Sequence, residues 1–139
     1  MNASVDPRGE LDQRIDAVES GYEFMLAYAA QGRETDKGAA AGRNVREFLQ
    51  KMETALDGLG SLVVACAKRA DPVLVNSCAA FFAAVDADAK TAQAAIRLVL
   101  ARSDISSQLV DNLNASIHLR ALLTDLFVVD EGLKGARKP

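Results

Sequence analysis

The side chains with chemistry to offer in this sequence are one histidine, one oddly placed arginine, a row of four carboxylates and two cysteines. His118 is the only histidine and stands opposite the apolar stripe of its helical segment, in a row with Asp111, Asn114 and Asp125. Arg120, by contrast, falls inside that stripe, with Ser116 and Thr124 one turn to either side. A guanidinium taken out of water needs a carboxylate partner. Asp88, at the margin of the preceding helical stripe, is the best placed, and Glu23 is second. Such an arginine can fix helix register as an ion pair, bind an anion in a pocket, or snorkel out along its alkyl stem. Asp12, Asp16, Glu19 and Glu23 recur at steps of four, three and four on one helix face. Carboxylate rows inside bundles hold di-iron, but that chemistry takes a Glu-x-x-His from each of two helices. A single histidine cannot supply two, so no metal or cofactor is expected and the row reads as a solvated face that a basic partner helix could meet. Cys66 and Cys78 both sit on apolar stripes, which reads as two buried free thiols in a reducing compartment.

An exposed histidine on an acidic helical domain is the arrangement of a histidine phosphotransfer module. The string Ile117-His118-Leu119-Arg120-Ala121-Leu122 faintly resembles the histidine box of that family and of dimerising kinase domains. It departs from the box at Leu122, where those modules keep small or basic residues around the phosphorylated ring. The resemblance covers a handful of residues and implies His118 as a phosphoacceptor candidate.

No Gly-rich phosphate loop, nucleophile elbow, C-x-x-C or H-E-x-x-H occurs, and no enzyme activity is expected. The net charge of −3 argues against general nucleic-acid binding, which normally uses a basic face. No uncharged apolar run nears the roughly 20 residues that span a membrane, and no basic-then-apolar signal segment opens the chain. A cytoplasmic location without membrane insertion is the expectation.

Helices must position these groups, because runs of period-two strand residues bounded by turns are absent. The 139 residues read as one helical-bundle domain, with residues 1–5 frayed. Asp6-Pro7 and Asp71-Pro72 are helix starts: Asp caps orphan N–H groups, and Pro at the first position has none to orphan. The expected helices cover about 7–31, 43–69, 72–102 and 104–131, with a basic tail at Lys134, Arg137 and Lys138. Arg33 to Gly42 has linker composition, with Thr35 or Asp36 as a possible cap for the second helix. Gly58 and Gly60 make a weak point at 58–60, where the stripe resumes in register and a bend in one long helix is favoured over a turn. Short links between long helices predict an all-α, antiparallel up-and-down four-helix bundle.

Two of these helices carry more apolar surface than one seam uses. The first has the stripe Leu11, Ile15, Val18, Tyr22, Met25, Leu26 and Ala29, and a second set, Ala17, Gly21, Phe24 and Tyr28, nearly opposite. The last has Ile105, Leu109, Val110, Leu113, Ile117, Leu123 and Phe127 as its core stripe, and Leu119, Leu122, Leu126 and Val129 more than a quarter-turn away. Isologous contact is the commonest way to bury such surplus, so a homodimer is expected, with Phe24, Tyr28, Leu119, Leu122, Leu126 and Val129 as its interface. The function expected from sequence is therefore a non-enzymatic, homo-oligomeric interaction module: an adaptor, chaperone or regulator with an unknown protein partner. Phosphotransfer through His118 and small-ligand or anion binding through Arg120 are the alternatives.

Overall fold

The computed structural model describes residues 6–38 and 40–136, and the expectations for residues 1–5 and for Arg137 and Lys138 lie outside them. The described residues are helical and contain no strand. Seven segments follow in order: α1 (Pro7–Ala29), α2 (Ala40–Leu56), α3 (Leu59–Ala70), α4 (Val73–Ser77), α5 (Ala79–Leu100), α6 (Ser107–Ala115) and α7 (Ile117–Ala136). None of these helices is long and apolar enough to cross a membrane.

Helix α1 begins as its residues dictate, with Asp6 accepting from the Gly9 N–H and Pro7 at the first helical position. Three of the expected long helices are broken, each at an identifiable residue. Gly58 adopts φ +68°, a left-handed conformation that ends α2 and lets α3 begin at Leu59. The 58–60 segment is thus a break and not the bend favoured from sequence. Asp71 Oδ1 accepts from the Val73 N–H at 3.1 Å, but the helix it opens is only five residues long. Ser77 Oγ bonds back to the Val73 carbonyl at 3.1 Å, a contact that bends helices, and Cys78 leaves helical geometry before α5 restarts. Ser116, at φ −59° and ψ 126°, separates α6 from α7. The start of α6 also lies later than expected, with Ser106 as N-cap accepting from the Leu109 N–H. Helix α7 runs past the expected end near 131 and continues to Ala136.

The Gly58 break makes a definite prediction. Gly58→Ala should destabilise by about 1 kcal/mol or more, because an L side chain is strained at positive φ. Gly60→Ala should also cost stability, since its new Cβ would fall on the Asp86 side chain, down to that residue's own Cβ. Thermal melts of the two variants check both.

Helix α1 packs on α2 and α3 along one side and on α6 along the other, while α5 packs on α2, α3 and α7. The core between them holds Leu11, Val18, Met25, Leu49, Met52, Val63, Val85, Ile96, Leu122 and Leu126, all essentially without solvent contact. Because α1 is packed on both sides, its two apolar sets merge into one wide buried face. Tyr28 is fully buried, and Phe24 stacks on Phe48 with ring centroids 4.4 Å apart. Leu26, placed on the core stripe from sequence, is half exposed.

Candidate functional site

Four of the six residues expected at a dimer interface, Leu119, Leu122, Leu126 and Val129, lie in this chain's own core. The reason is the break at Ser116. Helical phase carries through a continuous helix only, and one residue in extended conformation resets it. After Ser116, α7 presents Leu119, Leu122, Leu126, Val129 and Leu133 inward at steps of three, four, three and four. Ile117 and Phe127, expected in the core, are turned out instead, at 73% and 51% exposure. Tyr28 is sealed as well: its hydroxyl donates to the Ile105 carbonyl at 2.7 Å. Phe24 is half-buried against Phe48 and Tyr28, so the interface proposed from sequence has no free surface at most of its positions.

Arg120 is exposed, and among the described residues its guanidinium holds no carboxylate. The expected pair with Asp88 is replaced by a different one, for the same phase reason. Asp88 on α5 meets Asp125 on α7, whose Oδ2 is buried with no N–H or hydroxyl donor among the described residues. Burial, then the hydrogen bond and the charge of Asp88, push the Asp125 carboxyl up to about 7. A second carboxylate at this distance disfavours the charged form of Asp125, so folding holds its proton on to higher pH than in water.

The sign of the linkage follows. Folding raises this carboxyl from its ordinary value near 3.8, so its contribution is complete below pH 3.8 and is lost as pH rises toward about 7. Asp125→Asn keeps a donor opposite Asp88 without the titration. It should stabilise the protein by about 1–2 kcal/mol at pH 8, allowing for solvent screening, and change little at pH 4. Urea titrations at the two pH values check this, and equal effects at both would place the carboxyl in water.

His118 is exposed in the first turn of α7, and its ring makes no hydrogen bond among the described residues. Of the acidic row, Asp12 pairs with Arg8 at 3.1 Å and Glu19 is half-buried. Burial first, then the charges of Asp16, Asp130 and Glu23, raise the Glu19 carboxyl. Both cysteines are free, Cys66 buried and Cys78 half-buried. Burial raises the Cys66 thiol, which keeps it protonated and unreactive.

One polar cluster escaped the sequence reading altogether. The stretch read as a linker, 33–38, is stitched to the loop between α5 and α6. Asp36 is buried and takes the Arg46 Nε–H at 2.6 Å and the Ile105 N–H at 2.8 Å. Arg46 also donates to the Leu100, Arg102 and Ser103 carbonyls, satisfying the orphan acceptors at the end of α5. Beside it, Ser107 Oγ donates to the Tyr28 carbonyl and accepts from the Arg33 N–H, while Thr35 Oγ1 donates to Asp104 at 2.6 Å. Every polar group named here finds its partner inside the chain, so the cluster is a latch and leaves no donor pointed at a ligand. Asp36 was visible from sequence only as a helix cap, because its partners stand 10 and 69 residues away.

The surface that stays free is the outer face of α5. Ala80, Ala84, Ala87, Thr91, Ala94, Leu98 and Ala101 are all exposed and follow one another at steps of four, three, four, three, four and three. Leu98 is 69% exposed. A helix face turned to water normally carries charged and polar side chains; here Thr91 alone is polar. Two open grooves flank the bundle. One, of 690 Å³ between α1 and α2, is lined by Gln13, Arg14, Lys51 and Thr54; the other, of 480 Å³ among α3, α4 and α5, by Ser61, Val64, Phe82 and Asp86.

No family model, no curated protein and no solved structure matches this chain.

Proposed function

We propose that this chain is a non-enzymatic protein–protein interaction module, a cytoplasmic adaptor, chaperone or regulator that works by association with copies of itself and with a protein partner. In this reading α1, α2–α3, α5 and α6–α7 are the four rods of an up-and-down bundle, two of them broken. The observation that carries it is the apolar outer face of α5, whose 3.5-residue period is that of a helix seam and not of a solvated surface. Leu26, Ile117, Phe127 and Val128 add further exposed apolar side chains on α1 and α7. The two free thiols accord with a reducing compartment.

Light scattering tests the reading. The average mass of the wild type should rise above 14.8 kDa with concentration. Leu98→Glu should hold it at the monomer value without moving the melting temperature, since Leu98 contributes little to the core. Identical mass curves for wild type and variant would remove the α5 face from the function.

A further inference from the structure

We draw no further inference here: the strongest candidate, the 250 Å³ cleft where α1, α3 and α7 meet around Arg8, Cys66 and Arg69, carries nothing, because Asp6, Asp12 and Asp130 already take its two guanidinium groups and the Arg8 Nη1 that lacks a partner among the described residues is closed off from solvent and so from any ligand.

Discussion

Glutamate at both Leu122 and Leu126 will unfold this protein. Both side chains are buried, at 0% and 1% exposure, in the layer where α7 meets α5. Truncating a core leucine to alanine alone costs about 2–5 kcal/mol. A carboxylate in its place adds the cost of a charge without a partner, several kcal/mol more. Two such changes exceed the roughly 5–15 kcal/mol that holds a domain of this size together. The expected result is loss of the cooperative thermal transition and of most helical circular dichroism, with an enlarged hydrodynamic radius. A well-folded double variant would mean that these leucines lie at the surface, as a monomer with a free interface would have them. The milder Leu122→Ala should remain folded and lose about 2–5 kcal/mol in urea titration.

The second large effect is expected at the Asp36–Arg46 latch. Arg46→Met leaves the buried Asp36 carboxylate with the Ile105 N–H and no cation, and strips the end of α5 of the donor shared by three carbonyls. Breaking a buried pair from one side costs about 3–5 kcal/mol. The value expected here is near 3, because Arg46 is itself partly exposed, with 29% of its side chain in contact with solvent. Replacing both partners, Asp36→Leu with Arg46→Met, should recover part of the loss as the unpaired charge disappears. Double-variant stability as low as that of Arg46→Met would assign the cost to the orphaned carbonyls instead.

Acid separates the latch from the Asp88–Asp125 pair. Burial pushes Asp36 up, but the Arg46 hydrogen bond, the Ile105 N–H and the arginine charge outweigh it and hold the carboxyl below its ordinary 3.8. That contribution is present above pH 3.8 and is lost as pH falls through the folded-state value. Asp125 runs the other way, losing stability between pH 3.8 and about 7. The two slopes oppose each other, so these groups together place the stability maximum in mildly acidic solution. Arg46→Met should flatten the acid limb, and Asp125→Asn the limb toward neutrality.

The α5 stripe could have been found without coordinates. Ala80, Ala84, Ala87, Thr91, Ala94 and Leu98 keep a strict 3.5-residue repeat inside one uninterrupted helix, and Ala101 at its C-cap continues it. It is hidden by contrast alone: alanines look neutral beside the leucines of α7, so surplus apolar surface is sought first where the large residues are.

The amino-acid sequence by itself determined what is local. Helix-forming residues in long runs made the described chain helical, Asp6-Pro7 set the start of α1, and Gly58 marked a weak point, though not that it would be a break in place of a bend. It also set most of the core stripe of the continuous helix α1, where Leu11, Ile15, Val18 and Met25 are buried and Leu26 is the exception. Only the tertiary structure decided which of two apolar rows on the last helix faces inward. One extended residue, Ser116, rotates everything after it, and a projection at a constant angle per residue carries no record of that turn. The same rotation exposed Arg120, brought Asp125 to Asp88, and took Leu119, Leu122, Leu126 and Val129 out of reach of any partner. The latch was decided there too, because Asp36, Arg46 and Ile105 come together across 10 and 69 residues, and the energy of such a contact belongs to the folded packing and not to any local run.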